Sequence, residues 1–125
     1  VTPEETDLAR QLVALPGWSW SPGMLFPSAR GGTGKNEWVR AGGRHVKNGH
    51  MPANAIPDLL DAATAGSLLV TLAASEPHGA IWWSPTSNGW AWRRLGSAFL
   101  SPADVVEASP GVMAAKALVL LGRCV

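Results

Sequence analysis

One cysteine, Cys124, stands in the whole chain, so neither an internal disulfide nor a cysteine-based zinc site can form. That usage fits a reducing cytoplasm. Charge is also scarce. Only 15% of residues are Asp, Glu, Lys or Arg, against about a quarter in an ordinary soluble protein. The net charge of +1 sets up no global field toward nucleic acid. A surface so poor in charge fits a small protein rich in Ala, Gly and Trp, and also one that hides part of itself in a homo-oligomer or against a partner. Apolar runs long enough to cross a bilayer are missing, and the acidic start Thr2-Pro3-Glu4-Glu5-Thr6-Asp7 is no signal peptide. These absences predict a soluble protein of the cytoplasm with no membrane partner.

Catalytic signatures are missing as well. No serine sits in Gly-x-Ser-x-Gly, and Cys124 is followed only by Val125, a poor place for a catalytic thiol. The run Gly31-Gly32-Thr33-Gly34-Lys35-Asn36 comes near a nucleotide-hydrolysing loop but fails it. Ala29 stands where the first glycine belongs, and Asn36 where the magnesium-binding hydroxyl belongs. His45, His50 and His78 are irregularly spaced, with neither HExxH nor CxxC beside them. Asp58 and Asp61 adjoin a helix start and read as caps. The expectation is a protein that is not an enzyme and has no cofactor, metal or catalytic residue.

What is present specifies an architecture. Apolar residues make up 46% of the 125, enough for one domain spanning 1–125 with its own core. Thr2, Pro3 and Glu5 form a capped helix start, and Leu8, Leu12 and Leu15 with Val13 make an apolar stripe ended by Pro16-Gly17. Residues 17–24 read as a short strand or extended arm in which Trp18 and Trp20, alternating with small residues, point one way and pin two rings onto a core. Gly42-Gly43 suggests a hairpin with Val39 facing Val46 and Trp38 facing Lys47, while Asn48-Gly49 offers a second turn. Asp61 caps a helix from about Ala62 to Ala74, with small Ala65 and Gly66 set to approach a sheet. Asn88-Gly89 reads as a two-residue hairpin turn that pairs Ser87 with Trp90, Pro85 with Trp92 and Trp83 with Arg94. Trp83, Trp90 and Trp92 then share the core face, and Pro85, with no N–H to give, puts its strand at an edge or lets it pair there only on its other side. A short helical turn is expected near 102–107 and a main helix over 110–121, lined by Met113, Ala117, Leu118 and Leu121 and closed by Gly122. The class is α+β: a small, mostly antiparallel sheet of about four strands in two hairpins, with an N-terminal, a central and a C-terminal helix packed on one face.

Two stretches, Leu12-Val13-Ala14-Leu15-Pro16-Gly17-Trp18-Ser19-Trp20-Ser21-Pro22-Gly23-Met24 and Pro57-Asp58-Leu59-Leu60-Asp61-Ala62-Ala63-Thr64-Ala65-Gly66-Ser67-Leu68-Leu69, carry a resemblance. They are similar to small uncharacterised proteins encoded by tailed bacteriophages and prophages, with the pattern LPGWxWxPGM followed by PDLxDxATxGxLL. Among those proteins a proline is expected after the residue matching Asp61, and Ala62 stands in its place, a departure at a helix start. The resemblance implies phage origin and action inside the host cell; it supplies no activity and no site residues.

The distribution of charge points to a surface. Arg30, Lys35, Arg40, Arg44 and Lys47 lie between residues 30 and 50 against Glu37 alone. If the two hairpins share a sheet, Arg93 joins them on the face opposite the main tryptophan cluster. Cations interleaved with Trp38 and Trp82 suit an anionic, base-bearing ligand: charge for phosphate, rings for stacking. Arg40, Arg44, Lys47, Arg93 and Trp38 are the expected contact residues, and Trp18, Trp20, Trp83, Trp90 and Trp92 the expected core. The reading is a phage-type binding protein for nucleic acid or a small nucleotide. Its alternatives are a protein-interaction module that inhibits a host defence or transcription component, and a virion or assembly accessory protein.

Overall fold

A computed structural model describes residues 2–21, 24–27, 36–38, 55–94 and 103–124, with residues 26–27 and 36–38 as backbone. The described elements run α1 (Pro3–Val13), β1 (Leu25–Pro27), β2 (Asn36–Trp38), α2 (Ala62–Ser75), β3 (Ala80–Ser84), β4 (Gly89–Arg93), β5 (Val105–Glu107) and α3 (Pro110–Leu121). The class is α+β. The strands form a three-stranded antiparallel sheet in the order β3-β4-β5 and a separate pair, β1-β2.

Local chemistry explains the helix boundaries. Thr2 caps α1: its hydroxyl accepts from the Glu5 N–H at 3.1 Å, and Glu5 accepts from the Thr2 N–H at 3.2 Å. Asp61 caps α2, its carboxylate accepting from the Thr64 N–H at 2.9 Å. Asp58 accepts from the Leu60 N–H in the turn just before. Ser109 caps α3 with Pro110 in the first turn, and Gly122 ends it in the left-handed conformation, φ 76°.

The core forms around α3 rather than around the sheet. Gly111, Val112, Met113, Ala114, Ala115, Ala117 and Leu118 are all buried, a wider face than the stripe expected from spacing. Leu8, Ala9 and Leu12 of α1, Leu68 and Leu72 of α2, and Trp92 of β4 pack into the same cluster, with Met24, Ala55, Leu59 and Cys124 from the connecting segments. Small residues on α3 let its neighbours come close. A Cβ on Gly111 would lie 1.9 Å from the Leu59 carbonyl oxygen and 3.2 Å from the Ala65 methyl. Ala65 therefore serves contact between α2 and α3, not between α2 and a sheet. Gly66 is exposed with nothing near its Cβ position. Thr64 is fully buried and ties α2 to β1. Its hydroxyl donates to Asp61 at 3.1 Å and accepts from the Leu25 N–H at 2.9 Å.

Three other expectations are corrected. Residues 105–107 are a strand, not a helical turn: Val105 and Val106 are β-branched, and both pair with β4. Residues 18–21 form no regular strand, yet Trp18 and Trp20 do converge, edge to face at 5.5 Å, and pack against the core partly buried. The Asn88-Gly89 hairpin has a four-residue loop over 85–88, with Ser84 paired to Gly89 and Trp83 to Trp90. Asn88 alone in that loop has positive φ, 51°. Gly89 is a strand residue whose missing side chain makes room for β5, since a Cβ there would meet the Glu107 carbonyl oxygen at 2.9 Å. Moving Pro85 into the loop also removes a residue without an N–H from the ladder. Among the described residues β3 does lie at the edge of its sheet, although Pro85 is no longer the reason.

Candidate functional site

Trp90 pairs with Trp83 in place of Ser87, a shift of an even number of places, so every side chain keeps its expected face. The inner face of the three-stranded sheet carries Ile81, Trp83, Trp90 and Trp92. Burial divides them. Trp92 on the central strand is 1% exposed, Trp90 is partly buried, and Trp83 at the edge is 45% exposed. Trp83 is therefore corrected from core to surface. Its ring meets Trp90 edge to face at 5.6 Å, which holds it upright beside the core rather than inside it.

The outer face carries Trp82, Ala91, Arg93 and Val106. Ala91 is buried between its cross-strand partners Trp82 and Val106. The Arg93 guanidinium carbon lies 5.8 Å from the Trp82 ring centroid, within cation–π range. Arg93 and Trp82 are both half-buried, so the pair is fixed and still reachable. This is the one place among the described residues where a cation and an indole expected at the ligand surface come together.

The other contact residues are not joined to it. Arg40, Arg44 and Lys47, with the expected Gly42-Gly43 hairpin, lie outside the described residues. Trp38 is described in backbone alone, paired with Leu25 in the β1-β2 sheet. That sheet is not part of the ladder holding Arg93, so the premise of one sheet for both hairpins is not met among the described residues.

Neighbouring cations have structural work. The Arg94 N–H donates to the Asp104 carboxylate at 2.7 Å, and its guanidinium donates to the Leu120 carbonyl at 3.2 Å, near the negative end of α3. Lys116 pairs with Glu107. Arg123 donates to the Ser75 carbonyl at 3.0 Å. The Arg94 and Arg123 contacts were not singled out by sequence, because the carbonyls they reach are far away in the chain.

A cleft of about 350 Å³ opens between the start of α1 and the start of α3, with Glu4, Glu5, Leu8, Leu60, Glu107 and Lys116 among its lining. Its carboxylates give it the wrong sign for phosphate, and two are already committed: Glu5 to the cap of α1 and Glu107 to Lys116. His78 is exposed in the loop after α2. Among the described residues no group of three His, Cys, Asp or Glu is placed to hold a metal ion. Cys124 is buried, its N–H donating to the Pro16 carbonyl at 2.8 Å, and desolvation pushes its thiol pKa above the ordinary value. That is the opposite of an activated nucleophile. Among the described residues no helix is long and apolar enough to cross a membrane. No protein-family model matches the chain, and no curated protein or solved structure matches it.

Proposed function

We propose that the protein is a non-enzymatic binding module, of the tailed-phage type its sequence resembles, that takes a phosphate-bearing ligand on the outer face of the β3-β4 hairpin. The ligand is nucleic acid or a small nucleotide. The observation that supports this is the Arg93 guanidinium set over the Trp82 ring. A guanidinium pairs with phosphate oxygens, and an indole stacks on any base. In this reading Arg40, Arg44, Lys47 and Trp38 extend the contact beyond the hairpin.

Titration with a labelled single-stranded oligonucleotide and with a mononucleotide, at low and moderate salt, tests it. Binding should weaken as salt rises. Arg93→Ala and Trp82→Ala should each reduce affinity about tenfold or more while the fold persists. Absence of binding at low salt, or binding that neither variant weakens, overturns the reading.

A second reading is a protein-interaction module acting on a host component. The apolar side chains of Ile81, Trp83 and Val106, each more than a third exposed on the same small sheet, favour it. Capture from host lysate with and without nuclease separates the two, because a partner held through nucleic acid is lost on digestion.

A further inference from the structure

Among the described residues one side of β3 is an unpaired strand edge with a definable pairing rule. Trp92 pairs with Ile81 on one side and Val105 on the other. Its carbonyl accepts from the Asp104 N–H at 2.8 Å, so its main-chain groups are turned toward β5. In an antiparallel ladder a residue's N–H and C=O point to the same side, and successive residues alternate. The Ile81–Trp92 pair is therefore the non-bonded kind. Ala80, Trp82 and Ser84 bond to β4, while the N–H and C=O groups of Ile81 and Trp83 point outward. Among the described residues nothing pairs with them.

Edges of this kind are usually blunted by charge, by proline or by a bulge. Ala80–Ser84 contains no charged residue and no proline, and it exposes Ile81 at 37% and Trp83 at 45%. The flanks restrict which register a second strand can take. Pro85 has no N–H to give, and the Gly79 N–H already donates to the Glu76 carbonyl at 3.0 Å. We infer that β3 pairs with β3 of a second copy of this chain, antiparallel across a twofold axis through Trp82.

In that register Ile81 faces Trp83 of the other copy, and the reverse, so the outward groups of both residues are bonded in both copies. Shifting by one pair in either direction sets Ile81 against Pro85 or Trp83 against Gly79 and loses a donor. The inner face fits as well. Beside Ile81 lies a crevice of about 100 Å³ between β3 and the end of α2, lined by Leu72, Ala73, Pro77, Ile81 and Trp92 together with Glu76. The register brings the second copy's Trp83 ring to its mouth, which covers the exposed indole and the crevice together. The strands carry no like charges to repel, and the two three-stranded sheets become one of six strands. This pairing does not depend on the ligand reading.

Sedimentation equilibrium of the full chain, from micromolar to millimolar, should show a monomer–dimer equilibrium. W83K should raise the dissociation constant about thirtyfold or more. Amide hydrogen exchange gives a readout that needs no variant. The Ile81 and Trp83 amides should gain protection as the dimer forms, while the Trp82 amide, bonded to β4, is protected throughout. A chain that stays monomeric at millimolar concentration overturns the inference and leaves the edge to a foreign strand. A dimer in which the Ile81 and Trp83 amides exchange freely, or in which their protection is independent of concentration, overturns it too.

Discussion

Two glycines in helices show how little residue type alone decides. Gly111 faces the Leu59 carbonyl at a distance no Cβ can share, while Gly66 faces open space. Gly111→Ala should cost about 3 kcal/mol or more, because the obstacle is backbone that cannot rotate away. Gly66→Ala should stabilise by about 0.5–1 kcal/mol by restricting the unfolded chain and improving helix propensity. Chemical denaturation of both variants measures the contrast. Thr64 makes the same point for polar groups. Thr64→Val keeps the volume but leaves the Leu25 N–H without its acceptor at a fully buried site. The expected loss is about 2 kcal/mol. Thr64→Ser, which keeps both hydrogen bonds and removes a methyl, should lose about 1 kcal/mol. Equal losses for the two variants would show that packing, not the hydrogen bond, is what Thr64 contributes.

At the scale of elements, the helices were legible because their signals are local. Thr2 with Glu5, Asp61, Ser109-Pro110 and Gly122 all act within a few residues of themselves, and each functions where spacing placed it. Pairing was less legible, because its causes are distant. The Asn-Gly pair suggested a two-residue turn, but the glycine answers to the Glu107 carbonyl, which only the unforeseen strand β5 supplies. The longer loop also lets Trp83 and Trp90 meet directly. Asn88 is left as the residue holding a left-handed backbone, which predicts the outcome of two substitutions. Asn88→Gly should change stability by a few tenths of a kcal/mol, whereas Asn88→Val should cost about 1–2 kcal/mol. Thermal unfolding of both variants checks this; a two-residue turn would require positive φ at Gly89 as well, which the observed loop does not. Of the candidate site, the face shared by Arg93 and Trp82 was readable from alternation, whereas their contact was not, because it depends on the register set by the longer loop. The exposure of Trp83 was not, because alternation gives the face of a sheet and not how far the neighbouring helices reach along it.

At the scale of the molecule, the sequence of burial matters more than the number of apolar residues. Cys124 lies against the turn after α1, through its N–H and the Pro16 carbonyl, while Arg123 beside it reaches the end of α2. The C-terminal residues thus tie two helices that are far apart in the chain. Burial raises the Cys124 pKa in the folded state, so unfolding makes the thiol easier to ionise. Stability is unaffected below the ordinary thiol value of about 8.5 and falls as pH rises past it toward the raised folded-state value. The slope approaches about 1.4 kcal/mol per pH unit for one proton. Cys124→Ala should remove that component from a pH series of denaturation midpoints. An unchanged slope would mean that the thiol ionises equally in both states.

The helix at the centre of the buried cluster is also the last described element along the chain. Its buried face, Gly111 to Leu118, receives α1, α2 and β4, all made before it during synthesis. A growing chain can cap its first helices and close its hairpin early, yet it has nothing for them to close upon. Until the residues beyond 121 have left the ribosome, Leu12, Leu68 and Trp92 stay in water, and any chaperone that holds this protein must do so through the surfaces that α3 later claims.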